Sequence, residues 1–188
     1  MGIKFSVHSD KFTAVTRGRT VKIIDKESGL ETARFKELKH AYRASFNPAK
    51  PMLAVKSTKF WIAFYSMETM SLICKARIKM PNGKMNKTVQ DSGFCFSEDG
   101  KYFLNLETVN FSTHLVVYDC ETFEETERYF AEDSYRFNVI ERHDNGYLLA
   151  AFTKFIGGAI WFFDGKTLKK VRNLKASEDI DAYCDIHY

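Results

Sequence analysis

A chain of 188 residues, 45% hydrophobic and 28% charged, falls in the range of one globular domain, and a net charge of +4 leaves room for an anionic partner without requiring one. No window approaches the roughly 18 consecutive apolar residues of a membrane span, and Met1-Gly2-Ile3-Lys4 lacks the apolar run of a signal peptide, so a cytoplasmic protein with no membrane partner is expected. Cys74, Cys95, Cys120 and Cys184 form no C-x-x-C pair, which argues for free thiols in a reducing compartment over a disulfide framework or a zinc knuckle.

The 17 Phe and 9 Tyr suit β-rich packing, because flat rings cover a pleated surface well. The first unit opens with Lys4-Phe5-Ser6-Val7, turns at Ser9-Asp10-Lys11, and continues through Phe12 to Val15. It then loops at Arg17-Gly18-Arg19, enters Val21 to Asp25, turns at Lys26 to Gly29 and ends with Leu30 to Phe35. Each apolar run is short and bounded by turn residues, which predicts strands of about five residues and not helices. The second unit repeats the order with Arg43 to Pro48, Met52 to Val55, a loop over Lys56 to Lys59, Trp61 to Tyr65, and Met70 to Ile78. The connection Lys79 to Gln90, rich in Lys and Asn, reads as an exposed, mobile loop. The third unit, from Ser92 to Phe130, is the best copy: a short strand, the turn Glu98-Asp99-Gly100, a second strand, the run Leu115 to Tyr118 closed by Asp119, and a polar fourth strand. The fourth runs Arg136 to Val139, Tyr147 to Phe152, Ala159 to Phe163 and Leu168 to Leu174. The units span approximately 2–38, 40–80, 90–131 and 134–176 of a single domain, and 180–188 resembles the start of a further one.

Superposing Asp25, Ser66, Asp119 and Asp164 aligns the apolar runs ahead of them at spacings of 41, 53 and 45 residues, near the roughly 40–45 of one propeller blade. In these residues the chain resembles the WD40-type β-propeller family in degenerate form: Ile24-Asp25, Tyr118-Asp119 and Phe163-Asp164 stand for its Trp-Asp, Lys39-His40 for its Gly-His, and Phe46-Asn47-Pro48 for its Phe-Ser-Pro. The resemblance implies an all-β fold of about four tandem four-stranded antiparallel units, arranged as a partial or small propeller. The third strands, apolar on both faces, should be covered on both sides. The fourth strands, such as Glu124-Glu125-Thr126-Glu127-Arg128, should form outer edges exposed to water. Three closures are open: a piece of a longer ring, a four-blade ring with a tail, or a half-ring completed by another copy.

In a propeller the loops between units, and those between second and third strands, share one end. That end collects Arg17, Arg19, Lys39, His40, Arg43, Lys56, Lys59, Arg136 and Lys154 as candidate binding residues, while the hairpin turns at the other end collect Asp and Glu. A basic face that recruits an acidic protein is the functional reading, and turn-forming carboxylates with solvated lysines are the plain one. Nucleic acid is a narrower alternative, resting on Lys59-Phe60-Trp61 and Lys154-Phe155, although Phe60 and Phe155 can equally start buried strands.

Catalysis finds little support. The five histidines lie in different units, no H-E-x-x-H or G-x-S-x-G occurs, and Cys184-Asp185-Ile186-His187 is the sole local cluster of metal-ligand types, its alternation splitting Cys184 from Asp185 and His187. Ser97-Glu98-Asp99-Gly100 is explained as a hairpin turn. No catalytic residue, metal or cofactor is therefore assigned, and the expectation is a macromolecule-binding scaffold, with a hydrolase or lyase at the channel as the alternative.

Overall fold

The computed structural model describes residues 4–80, 82–84, 88–109, 112–130, 137, 139–143, 146–153, 157–164 and 170–175, with side chains through Arg142 except Phe130. They form four antiparallel meanders of four strands each. Sheet 1 comprises β1 Lys4–His8, β2 Phe12–Arg17, β3 Thr20–Asp25 and β4 Glu31–Phe35. Sheet 2 comprises β5 Ala41–Phe46, β6 Met52–Ser57, β7 Trp61–Ser66 and β8 Ser71–Arg77. Sheet 3 comprises β9 Phe94–Phe96, β10 Tyr102–Val109, β11 Ser112–Asp119 and β12 Glu125–Phe130, and sheet 4 comprises β13 Val139–His143, β14 Gly146–Thr153, β15 Gly157–Asp164 and β16 Lys170–Lys175. The first strands lie innermost, β5 against β1 and β9, and β9 against β13, so the sheets fan about an axis as propeller blades do. Among the described residues no helix is long and apolar enough to cross a membrane.

One bulge recurs in every sheet, one residue before the end of the third strand: at Ile23/Ile24, Phe64/Tyr65, Val117/Tyr118 and Phe162/Phe163. The extra residue lies on the outer strand, twists it locally, and pairing resumes beyond it at Ile24↔Glu31, Tyr65↔Leu72, Tyr118↔Glu125 and Phe163↔Lys170. The turn that follows also repeats. Asp25 and Asp119 accept backbone N–H groups three residues on, from Ser28 and Thr122, and Ser66 accepts that of Thr69. Four residues on, Gly29, Met70 and Phe123 stand at φ of 69°, 51° and 59°. Asp25 and Asp119 of the degenerate Trp-Asp pairs are thus turn caps, and these backbone hydrogen bonds hold their carboxyls below the usual range.

Apolar layers fill the spaces between blades. Phe35 stacks on Tyr65 at 4.1 Å between sheets 1 and 2, and Phe64 meets Phe103 edge-on at 5.3 Å between sheets 2 and 3. Phe137 and Ile140 close on Leu104, Leu106, Leu115 and Val117 between sheets 3 and 4. Each such side chain contributes about 1.5–3 kcal/mol when fully buried.

Sheets 2 and 3 bury both faces of their central strands. Sheet 1 departs from the expectation of two covered faces: Val21 and Ile23 of β3 are buried, whereas Lys22 and Ile24 on its other face remain half-exposed. One boundary also shifts: Lys56 belongs to strand β6 and not to a loop.

Candidate functional site

Backbone hydrogen bonds knit the loop-bearing end together. Ala41 donates to the Gly18 carbonyl at 2.7 Å, Thr58 to His40 at 3.1 Å and Gln90 to Thr58 at 3.0 Å. The Ser57 hydroxyl donates to the Lys39 carbonyl at 2.6 Å. Loops from sheets 1 and 2 and the connection into sheet 3 therefore sit side by side. Arg17, Arg19, Lys39, His40 and Lys59 are exposed along this seam. Among the described residues none of the four Lys and Arg groups enters an ion pair, although Glu37 and Asp91 lie exposed on the same loops. Arg136 and Lys154 fall outside the described residues, as does the cluster Cys184 to His187.

Arg43 points from β5 toward the axis. Its guanidinium lies 5.2 Å from the rings of both Phe5 and Tyr42, which themselves meet edge-on at 5.0 Å. Such cation–π contacts contribute about 0.5–1 kcal/mol at exposed sites and orient the planar fork. Arg43 borders an axial cleft of 210 Å³ with Ser45, Gly93, Phe94, Ile140 and Glu141. The cleft joins three inner strands, β5, β9 and β13.

Lys56 requires correction: it has no exposed surface and cannot contact a partner. Its Nζ donates to the carbonyls of Ser92 at 2.9 Å and Leu106 at 2.6 Å, across the junction of sheets 2 and 3. Burial pulls its pKa down to about 7, opposed by the attraction of Glu107. Glu107, equally buried, accepts from the Tyr118 hydroxyl at 2.5 Å, Asn105 at 3.1 Å and Arg128 at 3.2 Å, and burial pushes its carboxyl upward. Arg128 also reaches His114 Nδ1 at 3.2 Å, and burial followed by the Arg128 charge lowers the His114 ring to about 4. This polar stitch is internal, and it went unread in the sequence. Its trace was there in Asn105 and Glu107, which alternate with leucines along β10.

The aromatics proposed for nucleic-acid stacking are engaged elsewhere. Phe60 packs partly buried against the layer between sheets 2 and 3, and the Trp61 ring carries Lys75 at 4.4 Å and Arg77 at 5.4 Å. Phe155 lies outside the described residues. Gln90 corrects the reading of its connection as wholly exposed, being buried with Nε2 on the Thr108 carbonyl and Oε1 on the Thr108 N–H. Cys95 and Cys120 are free, with burial raising each thiol to about 12, so both are unreactive near neutral pH. Among the described residues no three His, Cys, Asp or Glu side chains gather as metal ligands would.

Four radial meanders about an axial cleft define an all-β, propeller-type fold. No family model matches the sequence, and no curated protein matches it. Solved structures do. The chain is similar to a chain of Kuenenia stuttgartiensis hydrazine synthase, with a TM-score of 0.71 at 15% identity over 90% of this chain and 51% of that one. It is similar to a chain of the mitotic checkpoint complex, with a TM-score of 0.69 at 15% identity over 93% of this chain and 50% of that one. A third likeness is to the dihydro-heme d1 dehydrogenase NirN in complex with DHE, with a TM-score of 0.69 at 16% identity over 91% of this chain and 37% of that one. The chain spans about half the length of these proteins or less.

Proposed function

We propose that this protein is a WD40-like propeller scaffold that binds another protein, an acidic one, at its loop-bearing end. The carrying observation is the contrast between the two ends. At the turn end Asp25 and Asp119 are occupied as backbone caps, while at the loop end Arg19, Lys39 and Lys59 stand exposed on adjacent loops outside any described ion pair. Cations so placed attract an acidic surface over a Debye length of about 8 Å at physiological salt. Arg43, braced by Phe5 and Tyr42, supplies the oriented anchor at the centre, in keeping with the enrichment of Arg and aromatics at binding hot spots. The likeness to a chain of the mitotic checkpoint complex is in keeping with a role in protein assembly.

The test is affinity capture from native lysate with the wild-type chain and with Arg19→Glu/Lys39→Glu/Lys59→Glu. All three side chains are exposed, so the variant should keep the wild-type circular dichroism. Captured proteins should be acidic, weaken as salt is raised, and disappear with the variant. An unchanged set of captured proteins would remove the basic seam from consideration.

A further inference from the structure

Sheet 1 presents a different chemistry on each side. Toward sheet 2 it is apolar, through Phe12, Ala14, Val21 and Ile23. Its other face corresponds, by the superposed turn caps, to the faces with which sheets 2 and 3 receive the sheet before them. Where those faces carry Ala63 and Val116, both fully buried, sheet 1 carries the half-exposed Lys22. Where they carry the buried Ser57 and Glu107, it carries the exposed Arg17. Unpaired cations pressed against an apolar sheet would be costly, so this face is composed for water or for an anion.

Cross-strand register distinguishes the two. Lys4 stands directly opposite Arg17 across β1 and β2, and Lys22 directly opposite Arg34 across β3 and β4. Neighbouring strands are about 4.8 Å apart, and like charges so placed destabilise a sheet unless an anion bridges them. The second pair is bridged. Glu31 accepts from Arg34 at 2.5 and 2.8 Å and from Lys22 at 3.1 Å, and these bonds hold its carboxyl down at about 2. The first pair enters no ion pair among the described residues. All four cations line one open cleft of 340 Å³, together with the half-exposed Val15, Thr20 and Ile24. Among the described residues no carboxylate lines it, and four cations against the adjoining Glu31 leave three positive charges. The volume falls within the roughly 300–1,000 Å³ of small-molecule sites.

We propose that this cleft binds a small organic phosphate of the size and charge of a nucleoside triphosphate. A phosphate group brings nearly two charges and three acceptor oxygens, so one group supplies the bridge that Lys4 and Arg17 lack. A neighbouring group pairs with the Lys22 and Arg34 donors that Glu31 does not occupy, and the two arginine forks match phosphate geometry. Val15 and Ile24 offer apolar surface to the organic body, which bare phosphate cannot use. The site is separate from the seam formed by Arg19, Lys39 and Lys59.

Isothermal titration calorimetry of the 188-residue chain at about 150 mM salt tests this, with inorganic tripolyphosphate and ATP as probes. One site is expected for each, with ATP at least threefold tighter because its sugar and base cover Val15 and Ile24. Arg17→Gln/Lys22→Gln should weaken both at least tenfold. Arg17→Gln alone, which leaves the Glu31 cluster intact, should already weaken them threefold. Glu31→Gln removes a competing carboxylate and should strengthen both at least threefold. These side chains reach solvent, so circular dichroism should not change. The Arg19→Glu/Lys39→Glu/Lys59→Glu variant should bind both probes within threefold of the wild type, so failure of the seam and failure of this site are read separately. No binding of either probe at millimolar concentration, several ions bound per chain, ATP no tighter than tripolyphosphate, or indifference to Arg17→Gln would each overturn the proposal. Capture of a protein that depends on Arg17 and Lys22 while neither probe binds would overturn it too, and would give this face to a protein.

Discussion

At the turn end sheets 2 and 3 come into close approach at Asn47 and Gly100, and replacing Gly100 with Ala measures that contact. Gly100 stands at φ 68°, and its carbonyl accepts from Asn47 Nδ2 at 2.8 Å. A Cβ at this position would fall 2.2 Å from Asn47 Oδ1 and 3.0 Å from the Ala49 Cβ. Two costs add. The left-handed backbone costs an alanine about 1–2 kcal/mol. Displacing Asn47 also endangers its bond to Gly100 and the N–H groups of Ala49 and Lys50 that Oδ1 accepts at 2.9 Å each, at about 1 kcal/mol per bond. The total is about 3–5 kcal/mol, which at about 2–4 °C per kcal/mol for a chain of this size lowers Tm by roughly 6–20 °C. Gly29→Ala is the control: φ is 69° with nothing within 4 Å, so it carries the backbone cost alone, about 2–8 °C. Thermal unfolding of both, with Asn47→Ala and Asn47→Ala/Gly100→Ala to complete the cycle and give the coupling, decides the matter. Equal shifts for Gly100→Ala and Gly29→Ala would refute the claim that Asn47 locks the two sheets.

The buried polar stitch yields two further tests. Tyr118→Phe leaves the fully buried Glu107 without its shortest donor and should cost about 1–3 kcal/mol in urea unfolding; a change below about 0.5 kcal/mol would show that Asn105 and Arg128 suffice. Lys56 makes stability depend on pH in the alkaline direction. Its folded pKa of about 7 lies below the ordinary 10.5, so between those values the unfolded chain binds more protons and unfolding free energy climbs with pH. Below about pH 7 both states are protonated and the slope from Lys56 vanishes. Denaturant titrations at intervals from pH 6 to 9.5 should show that rise in the wild type and a flatter profile in Lys56→Met, and parallel profiles would place the Lys56 proton elsewhere.

Much of the architecture was legible because its signals are local. Short apolar runs ending at Asp25, Ser66 and Asp119, each followed by turn residues, locate three of the sheets, and those turns depend only on a side-chain oxygen meeting backbone N–H groups three residues on. Runs apolar on both faces likewise foretold that the third strands β7 and β11 would be covered on both sides, whereas the equal burial of β6 and β10 was not read from the sequence. Charge on loops was legible too, but a lysine looks the same in sequence whether it ends in water or between sheets. Lys56 sits among apolar neighbours that loop chemistry seemed to interrupt, and only the approach of the Ser92 and Leu106 carbonyls from another sheet shows where its ammonium goes.

The repeat, the strands and the caps each follow from side chains within a few residues of one another, and so could be read along the chain. The tertiary structure decided what depends on residues dozens of positions apart. It set the Asn47–Gly100 lock, the stitch around Glu107, Arg43 held on two rings at the axis, and the face of sheet 1 left open. Local pattern states that a strand has two faces, and only the packing of whole sheets determines which of them meets water.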